Sequence, residues 1–327
     1  MGRHVRTMPT LLAIVLFAGA AAAQSPVASV GAAAFNDDVY PTPKVAFPGG
    51  VTGLPGVLIY SPRNYRGVRM DIYLPPGQIR GPRPFVVFAH GGGWAGGSTR
   101  MNGAFTDWPG VLASLSAKGY VVASVDYRLL GDEIAPAAIQ DFKAAIKYLR
   151  ANASNYNIDR ARGLVWGASA GGQIAALAGT ACDVPALEPQ RPAAEPFAGE
   201  SACVQGAVGW YSTYDMRPMT GGYGPYLGCE KGRPCAAASM QSAITYLSDR
   251  TPPFLIVQGI DDKTVPVTQA QNFYAAMRDR NLKAELPLLP NVGHMFIGDT
   301  AERTKAASNE ALEATFRFID ATIGSRQ

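Results

Sequence analysis

The chain of 327 residues has few histidines, few cysteines and little net charge. The low net charge and the lack of long apolar runs each argue against one kind of partner. The formal net charge is only +4, and the charges form neither a basic stripe nor an acidic tail, which argues against a nucleic-acid partner. Beyond the N-terminal leader, no stretch is long and apolar enough to cross a bilayer, so we expect no stable membrane insertion once the leader is removed. The composition, with 47% hydrophobic residues, is that of a globular protein.

The N-terminus has the pattern of an export signal. Arg3 and Arg6 form a basic head, an apolar core follows at residues 11–17, and a run of alanines before Gln24 matches a small-residue cleavage site. We therefore predict a signal peptide over residues 1–23, an N-terminal arm over 24–48 and one domain over 49–327, in a secreted or periplasmic protein. An uncleaved membrane anchor is the alternative interpretation of the apolar core.

The four cysteines all lie in the second half of the chain, at Cys182, Cys203, Cys229 and Cys235. An even number of cysteines in an exported protein favours disulfides. Four cysteines allow three pairings, and we prefer Cys182 with Cys203 and Cys229 with Cys235, because each pair closes a short loop containing glycine or proline. A zinc site is the alternative, but neither a CxxC pair nor a nearby histidine supports it.

Short apolar segments alternate with amphipathic ones over most of the chain, which predicts an α/β protein. The predicted strands lie at residues 57–60, 68–74, 85–89, 120–125, 163–166, 207–210, 254–257 and 284–289. The predicted helices lie at residues 111–118, 135–150, 173–181, 270–278 and 307–323. This order favours a mostly parallel sheet flanked by helices on both faces. The cysteine-bearing region at about 182–247 breaks the alternation, and we interpret it as a rim over a site, with a surface insertion as the alternative.

Ser169 lies in the sequence GASAG at residues 167–171, between a predicted strand and a predicted helix. Glycines on both sides of a serine let the two backbones pass closely in a sharp turn, which exposes the hydroxyl at the end of the sheet. The N-terminus of the following helix also favours negative charge near the serine. We therefore predict that Ser169 is a nucleophile, with a structural Gly-Ser turn as the alternative.

The sequence HGGGW at residues 90–94 directly follows another predicted strand. Acyl transfer needs preorganised N–H donors where the oxyanion forms, and glycines let a loop approach that position without side-chain clashes. The predicted donors are the N–H groups of Gly92, Gly93 and Ala170. The predicted pocket residues are Trp94, Tyr211 and Met295, although core packing explains the Trp94 ring equally well.

The chain has three histidines, and His294 is the one available as a general base. His4 lies in the leader, and His90 belongs to the glycine-rich loop, where we expect it to orient the loop through hydrogen bonds. His294 lies in the loop after the last predicted strand, from which it can reach back toward Ser169.

A histidine base needs an anion that fixes its tautomer and stabilises its charged form. Asp261 and Asp262 both follow the predicted strand at residues 254–257, so either carboxylate could serve. We favour Asp262, since Asp261 could instead cap the loop or face solvent.

These motifs resemble those of the α/β-hydrolase superfamily over nearly all of the chain after the leader, including the order serine, aspartate, histidine. HGGGW and GASAGG resemble the carboxylesterases of the hormone-sensitive-lipase type and their bifunctional feruloyl and acetylxylan esterase relatives. The segment MDIYLP at residues 70–75 resembles a strand of the latter group, and GIDDKTVP at residues 259–266 fits a GxxDxxVP pattern that places the acid on Asp262. The long N-terminal cap of hormone-sensitive-lipase relatives is not evident, which favours the feruloyl and acetyl group.

The resemblance implies an α/β-hydrolase fold and a serine hydrolase that cleaves carboxylic esters through an acyl-enzyme intermediate, with no cofactor and no metal. The expected substrate is a small-molecule or carbohydrate ester with a short acyl or aryl group, and acetyl and feruloyl esters of plant polysaccharide are among the candidates. An amidase or peptidase of the same fold is one alternative, and a non-catalytic binding relative is another. The sequence does not predict the oligomeric state.

Overall fold

The computed structural model describes residues 1–2, 43–62, 67–78, 80–189, 195–230 and 235–324. Residues 3–23 of the predicted signal peptide and residues 24–42 of the predicted arm therefore lie outside the described residues. The end of that arm forms strand β1 (Val45–Phe47), which pairs antiparallel with the next strand. Thr42–Gln327 forms a compact unit of its own.

The described strands form one mostly parallel sheet. After β1 come β2 (Val51–Tyr60), β3 (Val68–Leu74), β4 (Arg83–Ala89), β5 (Val121–Asp126), β6 (Ile158–Ala168), β7 (Gly206–Trp210), β8 (Phe254–Gly259), β9 (Ala284–Glu285) and β10 (Leu288–Leu289). Their order in the sheet is β1-β2-β3-β5-β4-β6-β7-β8-β10, and β9 also pairs with β8. The first strands, through the β3–β5 pair, are antiparallel, whereas the pairs of β4, β6, β7 and β8 are parallel. The carboxyl ends of these parallel strands therefore meet at one edge, where a site can form.

Helices cover both faces of this sheet. They are α1 (Trp108–Ser116), α2 (Ala137–Ala151), α3 (Ala153–Tyr156), α4 (Ala170–Thr180), α5 (Thr220–Leu227), α6 (Ala236–Met240), α7 (Thr268–Arg278) and α8 (Ala301–Ile323). Alternate residues of β4 enter separate cores: Phe85 and Val87 pack with α2, α4 and α7, whereas Val86 and Phe88 pack with α1 and α8. The prediction of a mostly parallel sheet with helices on both faces is confirmed. In the part of the chain that the structure describes, no helix combines the length and apolarity needed to cross a membrane.

Helix α4 begins at Ala170, immediately after Ser169, and not at Gln173 as predicted. Its first turn contains two glycines, which disfavour a helix in the sequence pattern but are required by packing. A Cβ on Gly171 would collide with the carbonyl oxygens of Ala89 and His90, so only glycine lets α4 approach the end of β4. This close approach brings the glycine-rich loop after β4 beside Ser169.

The cysteine-bearing region contains two helices that the sequence did not predict, α5 and α6. Cys182 lies next to Cys203, with Cα atoms 4.8 Å apart, and Cys229 lies next to Cys235, with Cα atoms 5.7 Å apart. Both pairs form disulfides, in the pairing that the short loops favoured. The second disulfide closes the chain directly after α5, which carries residues that approach the site described below.

Candidate active site

Ser169 occupies the sharp turn between β6 and α4. Its backbone has φ 54° and ψ −120°, a conformation that residues with a β-carbon rarely adopt and that costs about 1–3 kcal/mol. The turn is fixed to the neighbouring strand, because the Ser169 N–H donates to the carbonyl oxygen of Trp210 at 2.9 Å. The strained serine at the carboxyl edge of the parallel strands is thus held in place by backbone contacts, which leaves its hydroxyl free for chemistry.

The structure brings Ser169, His294 and Asp262 into one hydrogen-bonded row. The Ser169 Oγ lies 2.9 Å from His294 Nε2, and His294 Nδ1 lies 2.8 Å from Asp262 Oδ2. The His294 side chain is 17% exposed, whereas the Asp262 carboxylate is fully buried. With a proton on Nδ1 facing the carboxylate, Nε2 can accept the proton of the serine hydroxyl.

Asp262 is oriented by donors on both of its carboxylate oxygens. Oδ1 accepts the backbone N–H groups of Thr264 and Val265, each at 2.9 Å. Oδ2 accepts the side-chain N–H of Gln258 at 3.0 Å in addition to the His294 contact. Gln258 was not assigned from the sequence, since a polar residue inside an apolar strand was the sole indication. Asp261, by contrast, is exposed, so it is Asp262 that the structure brings to the imidazole.

The loop after β4 lies directly against the serine. Gly91, Gly92 and Gly93 line the same cleft as Ser169, and a Cβ on Gly91 would come within 3.3 Å of the Ser169 Cβ. Gly92 and Gly93 have φ values of 119° and 63°, which favour glycine. Ala170 is the first residue of α4, where a backbone N–H has no acceptor within its own helix. The three predicted N–H donors therefore come from two segments that meet at Ser169.

His90 packs under the loop, as expected for an orienting residue. Its Nδ1 lies 2.7 Å from the carbonyl oxygen of Gly91, and its ring stacks on Tyr127 with centroids 4.4 Å apart. The Tyr127 hydroxyl donates to the carbonyl oxygen of His90 at 2.7 Å. Burial lowers the pKa of His90, so the ring stays neutral and donates from Nδ1 to Gly91.

A buried aspartate that the sequence analysis did not assign fixes the far end of the loop. Asp71 accepts the Thr99 hydroxyl at 3.0 Å, the Arg100 Nε–H at 2.8 Å and the backbone N–H of Gly56 at 2.7 Å. It is only 6% exposed. The signal was an acidic residue inside the apolar segment MDIYL, where a buried charge needs partners. Its partners lie far along the chain, so the sequence could not identify them.

Trp94 lies behind the cleft and does not form its wall, which corrects the pocket prediction for this residue. The ring is 2% exposed and stacks on Tyr226 with centroids 4.4 Å apart. Its Nε1–H donates to Gln173 at 3.2 Å. The described residues that line the cleft do not include Trp94. Tyr223 lines the cleft instead, and its ring meets the Trp94 ring edge-on with centroids 4.9 Å apart. Core packing, the alternative for Trp94, explains these contacts.

Tyr211 and Met295, the other predicted pocket residues, do line the cleft, which has a volume of about 450 Å³. The Tyr211 ring meets the His294 ring edge-on with centroids 5.0 Å apart, and its hydroxyl donates to Asn102 at 3.4 Å. Met295 is 38% exposed at the cleft mouth. Within the described ranges, His, Cys, Asp and Glu side chains form no group of three that could hold a metal ion.

Comparisons with known proteins place the chain among similar sequences. The BD-FAE family model matches residues 70–277. The chain is 32% identical to Esterase LipC of Mycobacterium tuberculosis (strain ATCC 25618 / H37Rv), over 66% of this chain and 53% of the relative. The chain spans only 53% to 60% of the length of this and two further curated relatives.

Solved structures share the α/β-hydrolase fold, which confirms the predicted fold class. A bifunctional GH43-CE protein of Bacteroides eggerthii is 26% identical, with a TM-score of 0.67 over 77% of this chain and 33% of its own. A truncated carbohydrate esterase from gut microbiota is 23% identical, with a TM-score of 0.70 over 84% of this chain and 98% of its own. The family match takes in the HGGGW loop, Ser169 and Asp262 and covers most of the folded unit. The chain therefore belongs to the BD-FAE family.

Proposed function

We propose that the protein is a serine esterase that hydrolyses carboxylic esters through an acyl-enzyme intermediate. The observation that carries the proposal is the row from Ser169 Oγ through His294 to the buried Asp262 carboxylate, with spacings of 2.9 and 2.8 Å. The row ends beside a glycine-lined cleft that has room for a small ester. Esterase LipC, named above, is an esterase, which supports the same chemistry here.

The first half of the reaction forms the acyl-enzyme. His294 Nε2 takes the proton of the Ser169 hydroxyl as Oγ attacks the ester carbonyl carbon. The carbonyl oxygen becomes an oxyanion and accepts hydrogen bonds from the N–H groups of Gly92, Gly93 and Ala170. His294 then gives its proton to the leaving alkoxide oxygen, and the alcohol departs.

The second half regenerates the enzyme. Water occupies the position of the alcohol, and His294 removes its proton as the water oxygen attacks the acyl carbon. Collapse of the second tetrahedral intermediate returns a proton to Ser169 and releases the acid. Asp262 holds the imidazole tautomer throughout and stabilises the imidazolium through the Nδ1 contact.

The cleft supports a substrate with a short acyl or aryl group, carried by a small alcohol or a sugar. Its lining combines glycine backbone with two tyrosine rings and two methionines, so apolar contacts hold the ester while the backbone N–H groups orient it. We further propose that the protein acts outside the cytoplasm, as a secreted or periplasmic enzyme. The two disulfides support this location, because such bonds persist mainly in oxidising compartments.

A panel of matched substrates tests the proposed function. Purified protein is assayed with nitrophenyl acetate and butyrate, with acetylated sugars and feruloyl esters, and with the corresponding anilides. We expect turnover of esters, little turnover of amides, and a fall in kcat by a factor of about 10⁶ in the Ser169→Ala variant. Wild-type activity in that variant, or amides hydrolysed faster than esters, contradicts the proposal.

A further inference from the structure

The two sides of the cleft rest on opposite faces of the sheet. On one side, the Tyr223 ring packs edge-on against Trp94, which belongs to the core that also contains α2 and α4. On the other side, Tyr211 packs against Phe296 at 4.7 Å, in the core that also contains α1 and α8. Ser169 lies between them at the end of β6. An ester bound at Ser169 therefore extends its two halves against two different walls.

Proton transfer decides which half of the ester lies on which side. His294 must hand its proton to the leaving alcohol oxygen, so the alcohol half lies next to the imidazole. The imidazole packs against the edge of Tyr211, and Met295 follows it in the chain at the same wall. The acyl half points away from the leaving oxygen across the attacked carbon, which places it on the side of Tyr223.

Tyr223 is held in this position by the residues behind it. Its ring meets the Trp94 ring edge-on at 4.9 Å, and the Trp94 ring is stacked on Tyr226 of the same helix, α5. The Trp94 Nε1–H donates to Gln173 of α4, which in turn donates to the Gln241 carbonyl oxygen at 2.7 Å. Tyr223 is thus connected, through Trp94, to the helix that begins directly after Ser169.

The Tyr223 side of the cleft is also uncharged at the pH at which an esterase works. Burial and then the charge of Asp262 raise the pKa of Tyr223, so its phenol keeps its proton. The ring is positioned by its edge-on contact with Trp94. A neutral aromatic wall suits an apolar acyl group and limits its length.

We propose that Tyr223 determines which acyl groups the enzyme accepts, because its ring closes the acyl side of the cleft. The assignment rests on the proposed esterase function and adds to it a division of the cleft into an acyl side at Tyr223 and an alcohol side at Tyr211 and Met295. It makes the cysteine-bearing region the source of acyl specificity.

Two substrate series separate the two sides. The first series keeps nitrophenol as the leaving group and lengthens the acyl chain from acetyl to octanoyl, and the second keeps acetyl and varies the alcohol. For Tyr223→Ala we expect the ratio of kcat/KM for hexanoate over acetate to rise by about tenfold or more, with ratios in the alcohol series unchanged. For Met295→Ala we expect the ratios in the alcohol series to change and the ratios in the acyl series to stay as in the wild type.

Matched variants keep the test decisive. Tyr246→Phe alters a tyrosine of the same region, whose hydroxyl donates to the Met240 carbonyl oxygen, and leaves both series as in the wild type. Tyr223→Leu retains apolar volume and is used if thermal unfolding shows that Tyr223→Ala is not folded. The proposal is overturned if changing Tyr223 shifts only the alcohol series, shifts both series alike or shifts neither. Absence of any ester turnover by the wild type is a different result, which overturns the esterase function itself.

Discussion

Replacement of Asp262 by asparagine perturbs the proposed row of residues while hardly changing its shape. The carboxylate has two backbone donors on Oδ1, from Thr264 and Val265, and two side-chain donors on Oδ2, from Gln258 and His294. An asparagine amide must place its oxygen toward the two backbone N–H groups, because these cannot rotate. Its NH₂ group then faces His294 Nδ1, which must become the acceptor.

The magnitude follows from the tautomer. With Nδ1 accepting, the imidazole proton lies on Nε2, and Nε2 can no longer take the proton of the Ser169 hydroxyl. Loss of the correct tautomer in a triad of this kind lowers kcat by a factor of about 10⁴, or about 5.4 kcal/mol at 1.36 kcal/mol per tenfold change. The free energy of unfolding also falls, by about 1–3 kcal/mol, because the new amide NH₂ faces the Gln258 NH₂ group, which donates to the Gly259 and Val265 carbonyl oxygens and so stays in place.

The assay is kcat on nitrophenyl acetate, combined with urea unfolding of each variant. Asp261→Asn is the matched control, because that carboxylate is adjacent in the chain but exposed, and it leaves kcat within about twofold of the wild type. If Asp262→Asn keeps a tenth or more of wild-type kcat, Asp262 does not set the tautomer. If Asp261→Asn is the impaired variant, the acid has been assigned to the wrong residue.

Three further predictions concern the surroundings of Ser169, His294 and Asp262. Gly92→Ala forces the loop to move, because Gly92 has φ 119° and a Cβ would collide with the Gly96 carbonyl oxygen. We expect kcat on nitrophenyl acetate to fall by about 10²–10³, and an unchanged kcat would exclude Gly92 from the oxyanion hole. Replacing both Cys182 and Cys203 by serine removes a link across a sequence separation of 21, which lowers the free energy of unfolding in urea by about 3 kcal/mol; an equal stability of the variant refutes the disulfide. His90 has a pKa below 6.5 in the folded state, so below pH 6.5 the unfolded chain binds the extra proton and stability falls as the pH drops, by at most about 1.4 kcal/mol per pH unit. A His90→Asn variant lacks this part of the slope between pH 6.5 and 5, and an identical slope in both proteins refutes the assignment.

The candidate site is largely predictable because its constraints are local in sequence. A serine between glycines at a strand-to-helix junction can form one kind of turn, and the chain has few histidines from which to choose a base. The buried strands are equally predictable, since β4 and β8 are mostly continuous apolar runs. These signals need no knowledge of distant contacts.

The features that could not be predicted depend on contacts between distant parts of the chain. Helix α5 has the sequence TGGYGPYL, whose glycines and proline disfavour a helix; it is stabilised by the packing of Tyr226 on Trp94 and by the disulfide that follows it. The place of Trp94 depends on this helix, so no local pattern distinguishes a wall from a core residue. Likewise, Asp141 is fully buried against Arg128 and Tyr60, and nothing near it in the sequence identifies the more distant tyrosine.

The proposed role of Ser169 as the nucleophile is tested most directly by locating the covalent adduct left by a fluorophosphonate probe. The probe reacts with a serine whose hydroxyl is activated by a neighbouring base, and peptide mass spectrometry identifies the modified residue. We predict a single adduct on Ser169 in the wild type, no adduct in Ser169→Ala and strongly slowed labelling in His294→Ala. An adduct on another serine, or labelling of Ser169→Ala at the wild-type rate, would contradict the account.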